Sequence, residues 1–145
     1  MPAIAAAFVQ RYVESVSSKN LAAIGDLFQP DVTFRDSGAP GGVVQGLENL
    51  KQFLAAVFVA FPDFSFSLDA VLNTTDDQVA WRGTVQGTMQ GALQGIPATG
   101  KHFRVPIAEL YRLVDGKIQE TWIYFDQLNA MQQLGVLPVP SEVAG

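Results

Sequence analysis

The sequence predicts an α+β fold, with helices packed on one face of a curved antiparallel sheet, and three observations carry that prediction. Apart from one short strand at 31–36, apolar residues recur at helical spacing up to Phe61, and from Phe64 onward the period changes to two. The pair Asp115-Gly116 then divides a long alternating stretch, the strongest two-residue signal for a hairpin turn. Helices followed by strands is the segregated order of α+β, unlike the strict alternation of α/β chains.

In the first helix Ala5, Phe8, Val9, Tyr12, Val13 and Val16 fall on one stripe. Asn20 reads as the N-cap of a short second helix with Leu21, Ile24, Leu27 and Phe28 on its inner face, stopped by Pro30. Residues 31–36 alternate as a short strand, with Val32 and Phe34 on one side, and 37–42 form a Gly- and Pro-containing loop. The third helix carries Leu50, Phe53, Leu54, Val57, Phe58 and Phe61 and ends at Pro62. Phe64, Phe66, Leu68, Ala70 and Leu72 then form one face of a strand, 73–77 a turn, and Val79, Trp81, Gly83 and Val85 one face of the next. After a Gly-rich connection come strands at 103–114 and 117–125, and a short helix at about 127–133 closed by Leu134-Gly135. The tail from Val136 to Gly145 is expected to be loose. Nothing marks an internal boundary, so residues 1–145 are read as one domain.

Composition excludes several classes of function. The chain of 145 residues has 48% hydrophobic and 16% charged residues and a net charge of −5, so a nucleic-acid partner, which needs clustered Lys and Arg, is not expected. With no cysteine and only His102, neither a thiol nucleophile nor a multi-His metal site is available, and no metal is expected. Residues 1–9 lack the basic flank of a signal segment and read as part of the first helix, and no apolar run is long enough to span a membrane, so a cytoplasmic location is expected. The high apolar fraction and a last strand apolar on both faces suggest a homodimer.

The Gly-rich connection is too patterned for an arbitrary loop. Gly87-Thr88-Met89-Gln90-Gly91-Ala92-Leu93-Gln94-Gly95-Ile96-Pro97-Ala98-Thr99-Gly100-Lys101 resembles the G-T-H-x-G-x-x-x-G-I-P-x-T-G-K/R signature of SnoaL-like polyketide cyclases, with Met89 where many members carry His. The stretch from Glu109 to Trp122 is similar to the family's E-I-Y-R-x-x-D-G-K-I-x-E-x-W. Phe125 to Leu128 with Gln132 to Gly135 is similar to its closing D-x-L-x-x-x-x-Q-L-G. The resemblance implies the cone-shaped α+β barrel of the nuclear-transport-factor-two-like superfamily, in which three N-terminal helices and the sheet enclose a pocket. It also implies an intramolecular aldol closure on a polyketide-type ligand without a cofactor. That chemistry needs a carboxyl poised as acid/base in an apolar pocket, where desolvation raises its pKa. In the cyclases an Asp directly after the conserved Trp is the acid/base, assisted by a His before E-I-Y-R. Here Ile123 and Ala108 hold those places.

If Asp115-Gly116 is the turn, Ala108 faces Ile123 and Glu109 faces Trp122, which puts Ala108, Leu110, Ile123 and Phe125 on one side and Glu109, Tyr111, Trp122 and Tyr124 on the other. A bulge near Pro106 would shift these outer pairs. The expected pocket wall is Tyr12, Phe28, Phe34, Phe53, Val57, Met89, Ala108, Leu110, Ile123 and Phe125. Asp126 and Glu109 are the candidate catalytic carboxyls, each with a structural reading beside the chemical one. Asp126 stands where a helix N-cap belongs, and Glu109, at an alternating apolar position, would if buried be either protonated or paired, with Arg82 or Arg112 or in a dimer contact. Asp36 reads as a solvated strand end and His102 as an exposed loop residue. Two functions follow: cofactor-independent acid/base chemistry (aldol cyclisation, isomerisation or hydration) on a small apolar or polyketide-type ligand, or a non-catalytic hydrophobic-ligand-binding or dimerisation module.

Overall fold

The computed structural model describes residues 2–73 and 75–139. Four helices and six strands follow in the order α1 (Pro2–Ser17), α2 (Leu21–Gly25), β1 (Phe28–Arg35), β2 (Val43–Gln45), α3 (Leu47–Ala60), β3 (Ser65–Asn73), β4 (Gln78–Thr88), β5 (His102–Val114), β6 (Lys117–Phe125) and α4 (Gln127–Gln133). The strands form one curved, unclosed sheet in the order β2-β1-β6-β5-β4-β3. All neighbours are antiparallel except β1 and β6, which run parallel. Among the described residues no helix is long and apolar enough to cross a membrane.

The helical stripes bury as their spacing predicts: Val9, Tyr12 and Val16 of α1 and Leu50, Leu54 and Val57 of α3 are all buried against the inner face of the sheet. Asn20 caps α2 by accepting the Ala23 N–H at 3.0 Å. The Asp115-Gly116 turn closes the β5–β6 hairpin with both residues at positive φ, 52° and 76°, as a type I′ turn requires.

Four local expectations are corrected. Leu27 and Phe28 lie beyond α2, and Phe28 opens β1, so Pro30 sits inside a strand where the pairing with β6 is irregular and its missing N–H is tolerated. β2, a three-residue strand paired to β1, occupies part of a stretch that carries no strand signal. Asp69 is an extra residue in β3, so Phe66 and Leu68 face inward but Leu72 faces out, 51% exposed. Val136 is no loose tail residue: its N–H donates to Met131 O at 3.0 Å and its side chain packs on the core. The tail from residue 140 lies outside the described residues.

Candidate active site

β5 positions the central group. Along it Phe103, Val105, Ile107, Glu109 and Tyr111 turn inward, and all are buried. On β6 one extra residue, Gln119, separates the pair Leu113–Ile118 from Arg112–Glu120. This bulge lies at the turn end of the hairpin and not near Pro106, and it shifts every pair beyond it by one place. Glu109 therefore faces Ile123, and Ala108 and Leu110 face Tyr124 and Trp122 on the outer surface of the sheet. The expected split of this hairpin into faces is corrected accordingly: Glu109, Tyr111, Thr121, Ile123 and Phe125 share the inner side.

The inner side opens onto a cavity of about 220 Å3. Tyr12, Phe34, Phe53, Val57, Met89, Ile123 and Phe125 lie on its wall, together with Glu109 and Asp36. Phe28 is buried behind the wall, its ring against Tyr12 and Phe34, while Ala108 and Leu110 are on the opposite face, Leu110 41% exposed. Asp126 is exposed and off the wall; its Oδ1 accepts the Asn129 N–H at 3.0 Å and caps α4. His102 stands outside the wall, bonded to Thr88 and Gln86. Among the described residues no Lys, Arg or His lines the cavity. Among the described residues no three His, Cys, Asp or Glu side chains gather as a metal site.

Among the described residues Glu109 has no cationic partner. Arg82 bridges Asp69 and Arg112 bridges Glu120, both on the outer face. Instead a short polar chain reaches Glu109 from inside. Trp81, paired with Glu109 across β4–β5, donates its Nε1–H to Tyr111 Oη at 2.7 Å, and Tyr111 donates its hydroxyl to Glu109 Oε1 at 2.7 Å. Glu109 Oε2 is buried and has no hydrogen-bond partner among the described residues. Desolvation by complete burial pushes the Glu109 carboxyl up to about 8; the Tyr111 hydrogen bond works against this, the Asp36 charge adds to it, and Trp81 and Tyr12 oppose it more weakly. Burial likewise raises the phenols of Tyr12 and Tyr111, and the nearby Glu109 charge raises them further.

Asp36, read from sequence as solvated, follows β1 and lines the cavity. Its Oδ1 accepts the Gly38 N–H at 2.8 Å. Burial raises its pKa, and the Gly38 bond partly offsets this. The missed signal is its parity: Val32 and Phe34 turn inward, and the same alternation carries Asp36 inward two residues later. Above these groups the Gly-rich connection folds over the cavity. Met89 pairs with Lys101 and Gly100, Leu93 bridges Ile96, and Gln94 Nε2 donates to Gly38 O at 2.9 Å. Met89, Leu93, Gln94 and Ile96 all reach the wall.

Comparison with known proteins agrees with this geometry. AclR from Streptomyces galilaeus, a candidate hydroxylase, superposes with a TM-score of 0.79 at 26% identity over 95% of this chain and 100% of its own. IdmH from Streptomyces antibioticus, a candidate polyketide cyclase, gives 0.75 at 26% identity, covering 90% and 98%. TsrD from Streptomyces laurentii gives 0.81 at 21%, covering 94% and 98%, a likeness of fold alone. No curated protein matches the sequence. The family model for SnoaL-like polyketide cyclases matches residues 6–134, nearly the whole described length, and the chain belongs to that family.

Proposed function

We propose that the protein acts on a small apolar, polyketide-type ligand by acid/base chemistry that needs no cofactor, in the class of aldol cyclisation, isomerisation or hydration. The observation that carries this reading is Glu109, a buried carboxyl with one unpartnered oxygen on the wall of an apolar cavity. Ile123 replaces the Asp expected from the family resemblance, but Glu109 stands directly opposite it on β5, so a carboxyl still belongs to that part of the wall. Its raised pKa lies near neutral pH, where a group exchanges protons most effectively. Asp36 supplies a second carboxyl from the end of β1. Asp126, a cap outside the cavity, is left with its structural role.

The test is exchange of the α-protons of 1-tetralone into D2O, followed by proton NMR. The chain accelerates exchange over buffer, and Asp36→Asn or Glu109→Leu lowers that acceleration by at least about 100-fold, the usual weight of a positioned acid or base. Exchange no faster than in buffer, or unchanged in both variants, refutes the reading. A homodimer is part of the same proposal. Leu72, Ala80, Leu110 and Trp122 form one cross-strand row on the helix-free face, next to Ala108 and Tyr124, and Tyr124 is 60% exposed. Sedimentation at micromolar concentration gives twice the chain mass if the proposal holds and the chain mass if it fails.

A further inference from the structure

The direction of the hydrogen bonds around Glu109 decides what its free oxygen can offer. An indole N–H only donates, so Trp81 fixes Tyr111 Oη as acceptor. The one hydroxyl proton of Tyr111 is then committed to Glu109 Oε1. Oε1 is an acceptor, and any proton the carboxyl holds sits on Oε2, the oxygen without a partner. The groups that face Glu109 are Tyr12 from α1, Asp36 from the end of β1, Trp81 from β4, Tyr111 on its own strand and Ile123 from β6. None is cationic, so the carboxylate is favoured over the neutral acid only by the Tyr111 hydrogen bond and, more weakly, by hydrogen bonding from Trp81 and Tyr12.

We propose that Glu109 works as a neutral acid whose Oε2–H donates to the carbonyl oxygen of an uncharged ketone, with Asp36 as the base for the carbon beside that carbonyl. The proposal rests on the acid/base reading above and specifies its ligand. The C–H electron pair becomes the C=C bond of an enol as Asp36 takes the proton. The carbonyl π pair moves to oxygen, which takes the Oε2 proton. Return to the ketone gives the oxygen's proton back to Glu109 and Asp36's proton to carbon, so the cycle needs no oxidant or co-reactant. Trp81 and Tyr111 are positioning residues that keep the Glu109 proton on the cavity side. The wall that accepts a neutral carbonyl opposes other ligands: a carboxylate meets no cation and is repelled by Asp36, and an ammonium ion gives up its hydration for Asp36 alone while offering the Oε2–H of Glu109 no acceptor.

Three probes of nearly one shape test this on the full chain: 1-tetralone, 1-aminotetralin and tetralin-1-carboxylate. At pH 6 the ketone is expected to bind at least tenfold more tightly than the amine or the acid. The infrared C=O stretch of bound 13C-labelled tetralone moves to lower frequency, and that shift fades as pH rises through about 8. Glu109→Gln, whose amide N–H takes the Oε2 place, keeps the shift and makes it independent of pH, whereas Glu109→Leu abolishes it. Tyr111→Phe removes a bond that stabilises the carboxylate, so the fading moves to higher pH, a change that a purely structural Tyr111 would not cause. A bound ketone with an unshifted carbonyl, a shift insensitive to pH in the unaltered chain, tighter binding of the amine, or no binding of any probe overturns the proposal. Proton exchange with an unshifted carbonyl sinks this inference and leaves the acid/base reading standing. A shifted carbonyl without exchange leaves Glu109 a donor to the carbonyl but overturns the role of Asp36 as base, and the acid/base reading with it.

Discussion

Replacing Glu109 by Gln keeps the side chain's shape and its bond from Tyr111 while removing its ionisation. Burial lifts this carboxyl from the ordinary 4.5 to about 8. Because the folded value is the higher one, the folded chain holds a proton between these pH values that the unfolded chain has released. The stability tied to the group is complete below pH 4.5, falls as pH rises, and is gone by about pH 8. At about 1.36 kcal/mol per pKa unit the whole effect is on the order of 5 kcal/mol, a large share of the roughly 5–15 kcal/mol that holds a domain of this kind folded. Urea unfolding of both proteins at pH 5, 7 and 9 measures it. The stability of Glu109→Gln relative to the unaltered chain is expected to rise by on the order of 4 kcal/mol from pH 5 to pH 9, mostly below pH 8. Other groups cancel in the comparison. Asp63 is held below its ordinary range by bonds from Thr88 that outweigh its desolvation, and Glu120 by its hydrogen bond from Arg112, so their stabilisation is lost only as pH falls below this window. Asp36 is common to both proteins. Parallel stabilities from pH 5 to pH 9 would refute the account of Glu109 as a carboxyl kept neutral by burial.

Three further substitutions test the frame around the cavity. Trp81→Phe removes ring volume and the donor to Tyr111 and is expected to cost about 2–4 kcal/mol in urea unfolding. Asp126→Ala removes the α4 cap, costing about 1 kcal/mol, and leaves tetralone exchange unchanged; a 100-fold loss of exchange would return Asp126 to the chemistry. Gly83→Ala puts a Cβ on the backbone oxygen of Ser67, 1.9 Å away if nothing moves, so β3 must shift from β4. A melting temperature within about 2 °C of the unaltered chain, less than a 1 kcal/mol change produces, would contradict that packing.

How much of this was legible depends on whether a feature is local to one element. Helical stripes are local, and α1 and α3 lie where their spacing puts them. Caps are local too: Asn20 and Asp126 accept the N–H groups their positions suggest. Inward parity along a single strand is equally local. Glu109 belongs to the series Val105, Ile107 and Tyr111 whatever its neighbour does, and Asp36 belongs to the series Val32 and Phe34. Pairing between strands is a different kind of fact. One inserted residue, Gln119, moved Ala108 and Leu110 away from Ile123, and another, Asp69, turned Leu72 outward, and nothing in the composition of either strand marks the insertion. The parallel pairing of β1 with β6 joins segments some 85 residues apart and has no local signature at all. Glu109 was therefore readable as an inward-facing group, and the parity of Asp36 carried the same signal unread, yet the company of neither was legible. A hairpin register counted from its turn set Glu109 opposite Trp122, on the side away from Ile123 and Phe125, when the bulge in fact returns it to the wall they share. For a site built across strands, the parity of a charged residue within its own strand is the firmer evidence. Its cross-strand partner has to be seen.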